Sequence, residues 1–286
     1  MTINIKTFFD SDTATFTHVV SDADTQKCAI IDSVLDYDQY SGKTSTKSAD
    51  QVIAYIKEAK LSVAWILDTH IHADHITASY YLKKKLGGKI GIGAKIKDVL
   101  ALWVPIFNTS KDTNLDASQF DHLFEDGEVF KLGNVDVKTL HTPGHTPACS
   151  SYLIEDAIFV GDTIFMPDLG TARTDFPGGS AAMLYDSIKI ILSLPDETRI
   201  FLCHDYPPEG RGVTWLTTVK DQKAKNILIH DDVSKEEYVN ARNKRNEGKA
   251  VPKLLLPSIQ ANLRAGTFGL PESNNISYIK IPVNAI

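Results

Sequence analysis

The chain has 286 residues, 43% hydrophobic and 23% charged, the composition of a soluble globular protein long enough to bury a substantial core. A formal net charge of −6 argues against nucleic acid as a partner, since phosphate binding needs a basic surface. No apolar run approaches the roughly 20 residues that span a bilayer, and the start "MTINIKTFFDSDTATF" has neither signal-peptide nor transit-peptide layout. Cys28, Cys149 and Cys203 are odd in number and scattered, so the expected setting is a reducing cytoplasm, with no membrane partner.

In chain order, "TATFTHVVSD" and "KCAIIDS" predict neighbouring strands with a polar turn at Asp22 to Gln26. "SADQVIAYIKEAKL" carries apolar residues at helical spacing, with Ser48 as its cap. "SVAWILDTH" predicts a short buried strand, "HITASYYLKKKLGG" a helix stopped at Gly87 and Gly88, and "KIGIGA" another strand. "NTSKDTNLDASQ" reads as a loop. From Glu128 the runs "EVFKLG", "VDVKTLHT", "SSYLIED" and "AIFVGDT" predict strands joined by short connections, as in antiparallel meanders. "SAAMLYDSIKIILSL" is an amphipathic helix and "RIFLCHDY" the strand after it. Beyond Tyr206 the chain reads as mainly helical and charged, with "SKEEYVNARNKRNEGK" an exposed helix and "PSIQANLRAG" near the end. There is no internal repeat and no low-complexity tract. Two sheet-forming halves with helices predict an α/β (or α+β) domain with sheets face to face and helices outside.

The stretch "THIHADH", residues 69–75, holds three of the nine histidines and an aspartate where a strand gives way to a helix. His70 and His72 are two apart, so an extended chain points both to one side, while Asp74 and His75 follow the turn. Imidazole and carboxylate are ordinary ligands for zinc, iron or manganese. A solvated helix cap is the alternative, and four potential ligands in seven positions favour the metal. Three further strand ends carry residues of the same type: His141 and His145 in "HTPGHTPACS", Asp162 in "AIFVGDTIF" and His204 in "RIFLCHDY". One shared site explains them together. His18, His122 and His230 have no such company and are read as incidental; Cys149 and Cys203 are read as small buried hydrophobes.

This order of motifs resembles the metallo-β-lactamase superfamily over residues from about 12 to 206. The resemblance implies a single αββα sandwich domain over residues 1–286, with the core at about 12–206 and a helical extension at about 207–286. It also implies up to two metal positions: His70, His72, His145 and Asp162 lining the first, and Asp74, His75, His204 and a bridging Asp162 the second.

Within the superfamily, "GDTIFMPDLGTARTDFPGG" at residues 161–179, with Arg-Thr-Asp-Phe at 173–176, resembles a bacterial subgroup of the persulfide dioxygenases. "THIHADHITAS", "HTPGHTPACSSYLI", "HDYPPEGR" and "LPSIQANLRAG" carry the likeness along nearly the whole chain. The resemblance implies one Fe(II) per chain held by His70, His145 and Asp162, with His72, Asp74, His75 and His204 present without filling a second metal position. A 2-His-1-carboxylate face leaves room for a substrate sulfur and for dioxygen. The implied reaction oxidises glutathione persulfide with O₂ to sulfite and glutathione. Glutathione carries two carboxylates, so Arg173 is the first candidate to grip one, with Tyr206 and Arg211 in the same cleft. The alternative is a hydroxyacylglutathione hydrolase (glyoxalase II-like) with two zinc ions; against it, "LGTARTDF" stands where that family carries a Cys-Gly-Arg-Phe-Phe-Glu type of segment. A non-catalytic metal-holding sensor is a more distant alternative. The oligomeric state stays open, a homodimer being compatible with the sequence.

Overall fold

The computed structural model describes residues 2–285. The first half runs β1 (Ile3–Asp10), β2 (Thr15–Asp22), β3 (Lys27–Ile31), β4 (Val34–Asp38), β5 (Lys43–Ser45), α1 (Lys47–Glu58), β6 (Ser62–Leu67), β7 (Ile76–Thr77), α2 (Ser79–Leu86), β8 (Lys89–Gly93), α3 (Ile96–Phe107) and β9 (His122–Phe124). The second half runs β10 (Val129–Leu132), β11 (Val135–His141), β12 (Ser150–Ile154), β13 (Ala157–Phe159), α4 (Ala181–Leu192), β14 (Arg199–Phe201), β15 (Leu216–Thr218), α5 (Val219–Lys225), α6 (Lys235–Asn246) and α7 (Leu255–Asn262). One six-stranded sheet has the order β1-β2-β3-β6-β8-β9 and a second the order β10-β11-β12-β13-β14-β15. Both are mixed: β3, β6, β8 and β9 pair in parallel, as do β13 and β14, and the other pairs are antiparallel.

Strand alternation distributes the apolar residues over three separate cores. In β3, Cys28 and Ile30 face α1–α3 while Ala29 and Ile31 face the other sheet. In β13 and β14, Phe159 and Phe201 enter the space between the sheets, and Ile158 and Ile200 pack against α4. The inter-sheet core joins Val20, Ala29 and Leu67 of the first sheet to Val137, Tyr152 and Phe159 of the second. Helices, sheet, sheet and helices thus form four layers, the αββα sandwich.

Local readings differ in several places. The chain beyond Tyr206, expected to be mainly helical, first adds strand β15 to the second sheet beside β14, and only α5, α6 and α7 are helical among its described residues. Ser48 lies in the first turn of α1 and caps nothing; Thr46 is the N-cap, and Asp36 takes the Ser48 hydroxyl at 2.7 Å and its N–H at 3.1 Å. Ile76 and Thr77 pair with β4 before α2 begins, so that helix starts at Ser79. The apolar stretch Ile96–Phe107 forms α3, burying Ile96, Val99, Leu100, Trp103, Val104 and Phe107 at helical spacing. The charged helix α6 is not simply exposed, because Tyr238 and Arg242 are buried against the second half of the chain.

The helix α7 buries every one of its residues from Pro257 to Asn262 and reaches back to the first half. Asn262 Nδ2 donates to the carbonyls of His72 and His75 at 2.9 and 2.8 Å, and its Oδ1 accepts the Thr77 N–H at 2.8 Å. Asn262→Ala should therefore cost at least about 3 kcal/mol, from three buried backbone groups left without partners. Denaturant unfolding measures this; a loss below about 1 kcal/mol would show that the contact is incidental.

Candidate metal centre

The four site segments leave their sheets at one shared edge. His70 to His75 follow β6, His145 follows β11, Asp162 follows β13 and His204 follows β14. Two glycines let the segments close on one another. Gly144 has φ +142°, and a Cβ there would collide with the Leu184 backbone. Gly161 has φ +51°, and a Cβ there would strike the Thr69 side chain. The residue after each glycine is a site residue, His145 and Asp162.

Four of the imidazoles, His70, His72, His75 and His204, have one buried ring nitrogen without a partner, and His145 Nε2 lies 3.7 Å from Asp162. Thr69 donates its N–H and hydroxyl to Asp32 at 2.8 and 2.9 Å. His70 Nδ1–H can then donate to Thr69 Oγ1 at 3.0 Å, leaving Nε2 unpartnered. His72 is turned the other way: Nε2–H donates to Asp32 Oδ1 at 3.0 Å, and Nδ1 is unpartnered. His145 Nδ1–H donates to the Arg173 carbonyl at 2.8 Å. His204 Nδ1–H donates to the Ala14 carbonyl at 3.2 Å, and its Nε2 lies 3.1 Å from Asp74 and 3.3 Å from Asp162 without hydrogen-bond geometry to either. His75 Nδ1 is 3.3 Å from Asp74, with Nε2 free.

Buried polar atoms without partners are costly. Here His70 Nε2, His72 Nδ1, His75 Nε2, His204 Nε2 and Asp162 Oδ1 all share that condition at one place. A cation resolves it, and a ligand imidazole tethered through its other nitrogen is the usual construction. The ligand atoms group as His70, His145 and Asp162, and as His72, Asp74, His75 and His204, the members of each group lying within 4.8 Å of one another. Two further groups share members with these: Asp162, Cys203 and His204, and Asp32, Asp68 and His72.

The electrostatics agree with a cation site. Burial, reinforced by neighbouring imidazoles, holds His70 and His72 well below the usual histidine range, in the neutral form that binds metal. Burial also raises Asp162. For His204, burial opposes the charge but the carboxylates of Asp74 and Asp162 outweigh it and raise the pKa. Asp68, behind the loop, is lifted to about 7 by burial and the Asp32 charge.

Other residues stay outside the cluster. His141 Nε2–H donates to the Pro147 carbonyl at 2.9 Å, and His122 faces Glu128 at 2.7 Å. His18 is buried between the sheets, donating to the Leu202 carbonyl at 2.9 Å, and burial lowers it to about 4. The three cysteines are buried and free, the Cys149 thiol pushed up to about 12 by burial.

A cavity of about 530 Å³ opens onto Asp74, His145 and Asp162, and its walls include Arg173, Phe176 and Tyr206. Arg173 is already engaged: Nε and Nη2 donate to both oxygens of Asp175 at 2.7 and 2.6 Å, and Nη1 donates to the Ala250 carbonyl at 2.8 Å. Tyr206 stacks on His204 with ring centroids 5.9 Å apart and is half exposed. Arg211, expected in the same cleft, does not line it. Its guanidinium is consumed by Asp205, at 2.7 Å to each oxygen, and by Asp168.

The sequence profile of the metallo-beta-lactamase superfamily matches residues 12–204. The chain belongs to that superfamily. Among its relatives, a Dictyostelium discoideum protein named "Glyoxylase B2" is 51% identical over 282 residues, covering 98% of this chain and 97% of that one. The human mitochondrial protein named "Persulfide dioxygenase ETHE1" is 30% identical over 267 residues, covering 92% and 89%. Among solved structures, ETHE1 from Myxococcus xanthus superposes with a TM-score of 0.74 at 29% identity, covering 92% of this chain and all of that one.

In a site assembled from four loops, a residue that orients one of them matters as much as the ligands. For the loop after β6 that residue is Asp32, which the sequence reading passed over; it takes the Thr69 N–H and hydroxyl and the His72 imidazole. Its signal was an acid ending the apolar run "KCAII", the same signal that drew attention to Asp162. Asp32→Ala should weaken metal binding by about ten- to a hundredfold, because His72 and the Thr69–His70 pair lose their common acceptor. Chelator competition on the folded variant measures it, and an unchanged affinity would deny Asp32 this role.

Proposed function

We propose that the protein is a mononuclear Fe(II) persulfide dioxygenase acting on glutathione persulfide. The overall change is GSSH + O₂ + H₂O → GSH + H₂SO₃, in which the terminal sulfur is oxidised, dioxygen is reduced and the S–S bond breaks. The observation that carries the proposal is where the cleft meets the ligands. It opens onto Asp74, His145 and Asp162, and of these it is His145 that the segment from Arg173 to Phe176 is built against. The Arg173 carbonyl fixes the His145 tautomer, and the Phe176 ring stands edge-on to that imidazole at 5.4 Å. His70, His145 and Asp162 would hold the metal, a 2-His-1-carboxylate set suited to iron. Ferrous iron held there would supply redox chemistry, which zinc cannot, together with open coordination positions.

The chain's own residues supply placement. Phe176, Leu169 and Phe165 line an apolar wall that limits water around a reactive sulfur. Asp74 lies 3.3 Å from His75 Nδ1 and 3.1 Å from His204 Nε2, so one carboxylate stands between the two imidazoles. In this reading Arg173 shapes the floor of the site through Asp175 and His145, and Tyr206 covers His204.

The second reading is a two-metal thioester hydrolase of the glyoxalase II kind. It is favoured by the convergence of His72, Asp74, His75 and His204, and by likeness to the Dictyostelium protein. Two metals held by these residues would supply the Lewis-acid activation of water which that reaction needs.

Protein made with iron and purified without oxygen should consume O₂ only when glutathione persulfide is added, and should cleave lactoylglutathione poorly. His70→Ala and His145→Ala should lose iron and activity, while His204→Ala should keep most of its iron. Fast thioester hydrolysis with no oxygen uptake by iron-loaded protein would replace this reading with the second.

A further inference from the structure

The cleft lining is rich in cations, and among the described residues only Arg173 of them is paired with a carboxylate of its own, Asp175. Arg242, Arg245, Lys249 and Arg173 all border the cavity. Asp175, the carboxylate that acts on both Arg242 and Lys249, has both its oxygens spent on Arg173. Lys253 borders the same cavity, and the carboxylates in its lining, Asp12, Asp74 and Asp162, make no ion pair with Arg242, Arg245 or Lys249.

Arg242 is the unusual member. It is only 2% exposed, yet of its guanidinium nitrogens Nη1 alone has a protein acceptor, the Thr171 carbonyl at 2.8 Å. Nε and Nη2 are buried without a protein partner. An uncompensated buried guanidinium is among the costlier features a fold can carry. Burial and the charges of Arg245 and Arg173 push its pKa below the ordinary value, against the help of Tyr238 and Asp175. Lys249 is lowered by burial and by the same arginines. Helical spacing puts Arg242 and Arg245 on one face of α6, and Lys249 follows just past the helix end. Arg245 Nη1 makes only a long contact, 3.4 Å, to the Leu169 carbonyl.

We propose that Arg242, with Arg245 and Lys249, forms the subsite that anchors the carboxylates of a peptide thiol, while the sulfur end reaches His145 and Asp162. The inference rests on the reading that the substrate is a glutathionyl species, which the dioxygenase and the hydrolase share. Arg242 is suited to grip one carboxylate in bidentate fashion, since its free nitrogens form an edge of the planar fork. Arg245 and Lys249 meet the second negative charge at the mouth. This moves carboxylate recognition from Arg173, which is committed to Asp175, to the extension that follows residue 206. A cavity of about 530 Å³ is in the range of small-molecule sites, about 300–1,000 Å³.

The test is calorimetric titration of the purified protein with reduced glutathione, with its diethyl ester and with coenzyme A, repeated on Arg242→Met and on the double variant Arg245→Ala/Lys249→Ala. Wild type should bind glutathione about ten- to a hundredfold more tightly than the ester, one or two charge-assisted contacts being lost. The double variant should bind glutathione at least about tenfold more weakly and discriminate little against the ester. Arg242→Met should do the same if it folds; the ester comparison and the surface double variant decide the matter if it does not. Equal binding of glutathione and ester by wild type, no binding of glutathione, tighter binding of coenzyme A, or variants that weaken both ligands equally would each overturn the assignment. Charge discrimination without persulfide-dependent oxygen uptake would sink the dioxygenase reading and leave this subsite standing.

Discussion

The buried carboxylate of Asp32 is the constraint on which the metal centre depends. Burial raises its pKa, so its presence at the end of β3 has to be offset by donors. The donors are the N–H and hydroxyl of Thr69 and the imidazole of His72, at 2.8 to 3.0 Å. Those bonds draw the loop after β6 against the end of β3 and set two histidines in opposite tautomers. Asp32 itself sits at φ +53°, a backbone state that Asp tolerates better than most residues. Remove the carboxylate and His72 and the Thr69–His70 pair lose the acceptor that orients them, while backbone pairing of β3 with β6 and the Asn262 bonds still hold the loop in place.

The second element of the design is the chain beyond residue 206. Asn262 ties the carbonyls of His72 and His75 from behind, while α6 closes the cleft from the front with a row of cations. The ends of the chain's first and last thirds are therefore one functional unit. The sandwich supplies the ligands; the extension stiffens their loop and shapes what can approach them.

Much of this was legible from the residues. Ligand-type side chains at four strand ends are a local signal, and the structure brings all seven to one place. The strands β10 to β14 of the second sheet are legible because they are apolar-rich runs that end in turns, whereas β15, three residues of which two are threonine, is not. Helix α3 was not read as one, since its apolar residues are dense enough to lack a clear polar face, and Pro105 lies within it. Ser48 looked like a cap because cap preference is local, whereas Asp36 claimed it from another strand. Arg211 looked like a cleft residue by proximity in sequence to His204, but two aspartates hold it elsewhere. Arg242 was invisible for a related reason: in a segment as charged as "NARNKRNEGK", nothing in the one-dimensional pattern says which cation is buried.

The central claim is that one metal position, formed by His70, His145 and Asp162, serves the chemistry, although ligand atoms for a second are close by. Crystals of protein purified anaerobically with iron, measured on both sides of the iron absorption edge, test it directly. The account predicts one anomalous peak per chain, bonded to His70, His145 and Asp162. Two peaks per chain, the second bonded to Asp74, His75 and His204, would contradict it.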